Sequence, residues 1–182
     1  MIETARAVKV DAPVRVAVGV DPPASAEGDA CGIVAVAVDS AGRLCVLEDA
    51  SVSDLSPEGW AQAVAACADR HGADRVVAEK NQGGDMVESV LRAAVVAMPV
   101  RLVHASRGKA ARAEPVAALY ERRQVRHAAA FAALEDELCG LARGRLCRAG
   151  AVAGSGGCAG MGGVGAGVWV EGGGGRAGDL GD

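Results

Sequence analysis

VRVAVGVD, residues 14–21, is the stretch of the 182-residue chain that decides the fold. Its Val-rich apolar run ends at Asp21, and two prolines follow. A short β-branched run that is closed by proline is typical of a buried strand. Two further runs, Cys31–Val38 and Leu44–Glu48, are separated by a turn at Ser40–Gly42 and predict a β-meander of three strands.

Helices and strands alternate after this meander. Ser56 and Pro57 are the N-cap and the first residue of a predicted helix, which His71 and Gly72 end. The order of the elements predicts an α/β domain with a mixed central sheet and helices on its faces. The remaining predicted elements are a strand at Arg75–Ala78, a helix from Gly83 to about Ala94, a strand at Val100–Val103, a helix over Lys109–Glu121 that is interrupted near Pro115, and a short amphipathic stretch at Phe131–Leu138.

The formal net charge of −4 excludes a generic polyanion-binding protein, but the charge is unevenly distributed. Residues 101–127 contain seven Lys or Arg and only two acids. Such a segment forms either a local phosphate-binding surface or an ordinary solvated helix face, and both interpretations stay open.

The six cysteines form no CxxC pair, and no group of His and Cys has zinc-ligand spacing, so no structural zinc is predicted. Residues 1–13, a predicted leader or linker, lack the apolar core of a signal peptide. No apolar run reaches the ~20 residues that span a bilayer. We therefore expect a cytoplasmic protein with reduced thiols and no membrane partner.

The chain changes character at Gly140, because residues 140–182 include 17 glycines. Gly-rich chain buries too little apolar surface to offset the entropy that is lost on ordering. The tail is therefore predicted to be disordered, and the folded domain to span residues 14–139.

Two carboxylates are the candidates for metal-dependent chemistry. Asp21 ends the first predicted strand, and Glu79 ends the fourth. Taken singly, Asp21 is an ordinary turn residue and Glu79 a helix-cap or salt-bridge residue. If their strands are neighbours, both side chains emerge at one edge of the sheet, where Mg²⁺ or Mn²⁺ would neutralise them. Asp29 and Asp85 are predicted instead to hold a loop and to cap a helix.

Five segments together resemble one protein family. They are AVGVDPPASAEGDACG (17–32), SPEGW (56–60), VVAEKNQGGDMV (76–87), RLVHASRGKAARAEPVAALY (101–120) and LEDELC (134–139). They resemble the nuclease domain of the large terminase subunit of tailed phages and related gene transfer agents. The resemblance covers residues 14–139, and the third and fourth segments are its most specific part.

The resemblance implies an RNase H-like fold and an endonuclease that cuts concatemeric DNA during packaging into a procapsid in a bacterial host cell. It implies that Asp21 and Glu79 are the first and second acidic ligands of a two-metal site for Mg²⁺ or Mn²⁺. Arg107, Lys109 and Arg112 would lie near the phosphate backbone of double-stranded DNA. The portal or procapsid and the small terminase subunit are the implied protein partners.

The chain departs from this family in two respects. It contains no GxxxxGK[ST] loop, so the ATPase motor of a complete large terminase is absent, and we expect no DNA translocation by this chain alone. It also lacks the family's third acid, which is carried in a segment of the type DRxDALVWA; between Gly140 and Gly178 the only acid is Glu171. Cleavage is therefore expected to be weak or absent.

A shift of reading frame would account for the missing acid. Back-translation of GSGGCAGMGG (154–163), read one nucleotide later, permits the codons of DRADALVWA, and Met161 forces the Trp codon among them. A frameshift, natural or from sequencing, is therefore predicted between about Cys139 and Gly154.

Two alternatives to an active terminase nuclease stay open. One is a non-catalytic module or remnant that binds DNA or the procapsid. The other is an RNase H-like nuclease of the resolvase or transposase type, which would prefer branched DNA.

Overall fold

The computed structural model describes residues 13–23, 30–80, 84–95, 98–104 and 109–142, and of residues 109–114 and 140–142 it describes the backbone alone. The predicted leader up to residue 12, the predicted loop residue Asp29 and the Gly-rich tail beyond Ala142 lie outside these residues.

Six strands and four helices make up the described part of the chain. The strands form one mixed sheet in the order β5-β4-β1-β2-β3-β6. β2 runs antiparallel to both of its neighbours, and the other adjacent pairs are parallel, which confirms the predicted meander and mixed α/β sheet. In chain order the elements are β1 (Arg15–Asp21), β2 (Gly32–Val38), β3 (Leu44–Asp49), α1 (Pro57–His71), β4 (Arg75–Glu79), α2 (Gly84–Ala94), β5 (Val100–Val103), α3 (Lys109–Glu121), β6 (Val125–His127) and α4 (Ala132–Ala142).

Helices cover both faces of the sheet. On one face, α1 and α2 pack on strand residues that include Val18, Val20 and Ile33, all of them fully buried. On the other face, α3 and α4 pack on residues that include Val34 and Val36. Successive side chains of a strand point to opposite faces, so a strand that is covered on both sides reads as a continuous apolar run. This is why β1 and β2 lack an alternation of apolar and polar residues.

Local sequence sets both ends of α1. Ser56 Oγ accepts a hydrogen bond from the Gly59 N–H at 3.2 Å, and Pro57 occupies the first helical position, where an N–H would have no helical partner. At the other end, Gly72 adopts the left-handed conformation (φ 57°) that closes the helix. Both predicted boundaries are confirmed.

The structure corrects the C-terminal part of the prediction in three places. α3 runs through Pro115 without interruption, because the proline is exposed and the turns after it are anchored by the buried Val116 and Tyr120. Val125–His127 forms a sixth strand beside β3, which is too short to show an alternating pattern. α4 extends to Ala142, past the predicted end of the amphipathic stretch.

A chain of buried polar side chains joins α3, β6 and α4. The Tyr120 hydroxyl and Nε2 of His127 share a hydrogen bond, and Nδ1 of His127 is hydrogen-bonded to the Glu135 carboxylate at 3.1 Å. Burial, and then the negative charge of Glu135, raise the pKa of Tyr120, so its hydroxyl stays protonated as a donor. Glu135 also accepts a hydrogen bond from the Phe131 N–H at 3.2 Å, which secures the start of α4.

Glu135→Ala is expected to lower the free energy of unfolding by about 2–3 kcal/mol, because it removes the hydrogen-bond partner of the buried His127 ring and of the partly buried Phe131 N–H. Chemical denaturation measures the change. Asp136→Ala is the matched control on the same helix and should change stability by less than about 0.5 kcal/mol, because Asp136 is exposed. Equal losses in the two variants would contradict this role for Glu135.

Candidate metal site

The structure brings Asp21 and Glu79 together at one edge of the sheet. β1 and β4 are parallel neighbours, and their register ends with Val20 opposite Ala78. Asp21 and Glu79 are the next residues of the two strands, so their backbones lie side by side, about 4.8 Å apart by ordinary sheet spacing. The prediction that these two strands are neighbours is confirmed.

Both carboxylates belong to the face of the sheet that α3 and α4 cover. Ala17 of β1 and Val77 of β4 pack in the apolar cluster of that face. Because side chains alternate along a strand, Asp21 and Glu79 project to the same face as Ala17 and Val77. Each acid keeps an exposed fraction of only 5%. The two carboxyl groups are therefore close neighbours in a largely buried place.

The charge of Asp21 acts on a nearby thiol. Cys31 immediately precedes β2, whose first residue, Gly32, pairs with Asp21. Burial, and then the negative charge of Asp21, raise the pKa of Cys31 to about 12. Cys31 therefore stays a neutral thiol at physiological pH.

This donor set fits a hard divalent cation. Two adjacent carboxylates repel each other, and the repulsion is stronger where burial reduces screening by water. Mg²⁺ and Mn²⁺ take carboxylate oxygens as ligands and would relieve the repulsion. The pair fits such an ion by the chemistry of its oxygens and by its position at the carboxyl ends of two adjacent parallel strands.

Lys80, the residue after Glu79, contacts the start of α2. The Lys80 N–H donates to the Val103 carbonyl at 2.7 Å, and Lys80 Nζ donates to Asp85 at 3.1 Å. Asp85, predicted as a helix cap, lies inside the first turn of α2 as the partner of this lysine. Gly84 lies so close to Lys80 that a Cβ there would stand 2.2 Å from Lys80 Cγ. The glycine thus lets α2 begin directly against the lysine.

Two of the three predicted DNA-binding residues lie in the first turns of α3. Lys109 is the first residue of α3, and Arg112 is the fourth. The side chains of both, and the whole of Arg107, lie outside the described part of the chain. β5 ends at Val103, which is level with Glu79, so the chain leaves the sheet toward α3 at the edge that carries the two acids.

Sequence reasoning assigned no role to His104. This residue is exposed and directly follows β5, at the same sheet edge as Asp21 and Glu79. The signal that could have selected it is the one that selected the acids, namely a polar residue directly after an apolar strand.

Within the described ranges, no third acid, histidine or cysteine forms a ligand group with Asp21 and Glu79. In the same part of the chain, one group of three potential ligands is present, and it consists of Glu48, Cys67 and His71. Spacing along the chain does not reveal this group, because Glu48 comes from β3, whereas the other two residues belong to α1.

Comparison with known proteins identifies the family. The model of the terminase RNaseH-like domain family matches residues 18–148, which is more than two thirds of the chain. The chain belongs to this family. The terminase match includes Asp21, Glu79 and the basic segment that leads into α3, and together with the mixed sheet it confirms the predicted RNase H-like fold.

One solved structure that is similar to the chain is the yeast mitochondrial Holliday junction resolvase. The TM-score is 0.43 at 9% sequence identity, over 63% of this chain and 67% of the resolvase chain. A comparison with curated protein sequences gives no match. None of the helices in the described ranges is long and apolar enough to cross a membrane.

Gly84→Ala is expected to lower the free energy of unfolding by about 1–3 kcal/mol, because the new Cβ overlaps the Lys80 side chain. The double variant Lys80→Ala/Gly84→Ala should recover most of this loss, because the overlapping Cγ, Cδ and Cε atoms are removed. Urea unfolding of both single variants and the double variant measures the coupling. If the stability losses of the two single variants simply add in the double variant, overlap with the Lys80 side chain is not what destabilises Gly84→Ala.

Proposed function

We propose that this domain is the metal-dependent DNA endonuclease domain of a terminase large subunit, which cuts concatemeric DNA as it is packaged into procapsids. The observation that carries the proposal is the side-by-side placement of Asp21 and Glu79, buried at the carboxyl ends of neighbouring parallel strands. Membership of the terminase family supports DNA as the substrate. The proposal concerns DNA cleavage by this domain.

In this proposal, Asp21 and Glu79 hold Mg²⁺ or Mn²⁺, with two ions as the full complement. The bound ions supply an activated water and stabilise the charge on the leaving oxygen. Without a cation, the two carboxylates would repel the DNA phosphate, so binding of metal and binding of DNA are coupled. Arg107, Lys109 and Arg112 are proposed to hold the phosphate backbone, since Lys and Arg neutralise phosphates whatever the base sequence.

A third acid is proposed to lie in a reading frame that this chain does not use. The family match ends at Arg148, shortly before Gly154, where the shifted reading permits the codons of DRADALVWA. This end point supports a frameshift late in the interval between Cys139 and Gly154. A two-metal site that lacks one carboxylate binds metal more weakly, so the chain with the Gly-rich tail (residues 140–182) is expected to be a weak or inactive nuclease.

Nicking of supercoiled plasmid with Mn²⁺ or Mg²⁺ is the activity to measure. In a chain whose reading frame has been restored, EDTA should abolish nicking, and Asp21→Asn or Glu79→Gln should each reduce its rate at least about 100-fold, because each removes a charged ligand and preserves the shape of the side chain. Asp69→Asn, which changes an exposed acid of α1, is the control and should leave the rate unchanged. Metal-dependent nicking that survives both ligand substitutions would contradict the site.

Restoring the reading frame should increase the nicking rate at least about 100-fold over that of the 182-residue chain, because the third acidic ligand returns. Sequencing the gene across codons 135–182 shows directly whether the reading frame is shifted. A stop codon in the shifted frame, or the lack of a DALVWA-like segment, would refute the frameshift. A frame-restored chain that binds Mn²⁺ but does not cut DNA would refute the nuclease function.

Two results would favour the alternatives. A DNA gel shift that is insensitive to EDTA, without cleavage, would favour a non-catalytic DNA-binding module. A strong preference for branched over linear DNA would favour a resolvase-type nuclease.

The portal or procapsid and the small terminase subunit are proposed as partners from family membership alone, and packaging with them would take place in the cytoplasm of a bacterial host.

A further inference from the structure

A second group of potential metal ligands lies on the face of the sheet that α1 covers. Glu48, Cys67 and His71 each offer one ligand atom, and these atoms all lie within 4.8 Å of one another. Cys67 and His71 are four residues apart in α1 and therefore lie on one side of the helix. Nε2 of His71 is 2.6 Å from Oε2 of Glu48. The group combines sulfur, nitrogen and oxygen donors, unlike the all-oxygen pair of the candidate nuclease site.

An irregularity in β3 turns Glu48 toward α1. Val46 is opposite Val36 of β2 and packs on the other face of the sheet. Two residues later, Glu48 is opposite Ala35, so Leu47 is an extra residue in the strand. Strict alternation would send Glu48 to the face of Val46, and the extra residue redirects its side chain to α1.

The three side chains differ in their exposure to solvent. Cys67 is fully buried, whereas the side chains of Glu48 and His71 keep exposed fractions of 30% and 23%. The group therefore opens to solvent on its carboxylate and imidazole side, which gives an ion a route in. Burial, and then the charge of Glu48, raise the pKa of Cys67 to about 11, so the free group holds a neutral thiol. A coordinated transition metal displaces such a proton.

Arg70 is a competitor for the carboxylate. Its Nη2 donates to Glu48 Oε1 at 2.8 Å, and its Nε donates to Oε2 at 3.3 Å. The hydrogen bond from Arg70 holds the pKa of Glu48 below its usual range, so the carboxylate stays ionised. The same guanidinium occupies oxygens that a metal ion would share, and its removal should therefore strengthen metal binding.

We propose that Glu48, Cys67 and His71 form a binding site for a transition metal ion of the Zn²⁺ class, separate from the carboxylate pair. Thiolate and imidazole ligands favour Zn²⁺ and similar ions over Mg²⁺. Three protein ligands leave the fourth tetrahedral position to water, on the side that is open to solvent. The bound ion joins β3 to the last turns of α1, so metal binding stabilises the fold.

Cobalt titration of the full, reduced chain tests this site, because Co²⁺ substitutes for Zn²⁺ and a cobalt–thiolate bond absorbs in the near ultraviolet. The wild-type chain is expected to develop this band on binding a single Co²⁺, to lose it when Zn²⁺ is added, and to keep it in excess Mg²⁺. Cys67→Ala should abolish the band. Cys139→Ala, which removes an exposed thiol, is the matched control and should keep it.

Two further substitutions, on the solvent-facing side of the proposed site, keep the test decisive even if Cys67→Ala does not fold. His71→Gln should weaken Co²⁺ binding by more than the roughly 10- to 100-fold that loss of an outer-shell partner costs. Arg70→Gln should tighten binding several-fold, because it frees the carboxylate of Glu48.

Asp21→Asn should leave the cobalt band unchanged, which distinguishes failure of this site from failure of the proposed nuclease site. Absence of the band in the wild-type chain would overturn the proposal. So would a band that persists in both Cys67→Ala and His71→Gln, or one that disappears in Asp21→Asn.

Discussion

The parallel pairing of β1 with β4 is the constraint on which the candidate nuclease site depends. The two strands cannot be joined by a tight turn, and β2, β3 and α1 lie between them in the chain. A slip of one residue would send Glu79 to the opposite face from Asp21. The apolar residues on both faces of these strands oppose such a slip, since Val76 would leave the core that it shares with Val18. Core packing therefore sets the position of the acids.

The two faces of the sheet carry different chemistry. The face under α3 and α4 holds the two buried carboxylates at one end, and the hydrogen-bonded chain through His127 fastens β6 and both helices to that face. The face under α1 holds the mixed sulfur, nitrogen and oxygen group that includes Cys67. The sheet lies between the two sites, so each can be changed and tested separately.

Local signals explain what the sequence predicts well. The meander, both ends of α1 and the strand-end positions of Asp21 and Glu79 follow from runs of apolar residues, caps and prolines that act over a few residues. β6 has three residues, and its place is set by burial of His127 against α3 and α4. Glu48 reaches α1 only because of a register shift against a neighbouring strand. Such pairings between distant segments leave no local pattern.

The most direct test of the central claim is anomalous diffraction from crystals of the chain that are grown or soaked in Mn²⁺. We expect a manganese peak about 2.1 Å, the distance typical of small hard divalent ions, from a carboxylate oxygen of Asp21 and from one of Glu79. Well-occupied manganese elsewhere in the domain, with none bound by these two residues, would contradict the assignment of the metal site to the paired ends of β1 and β4.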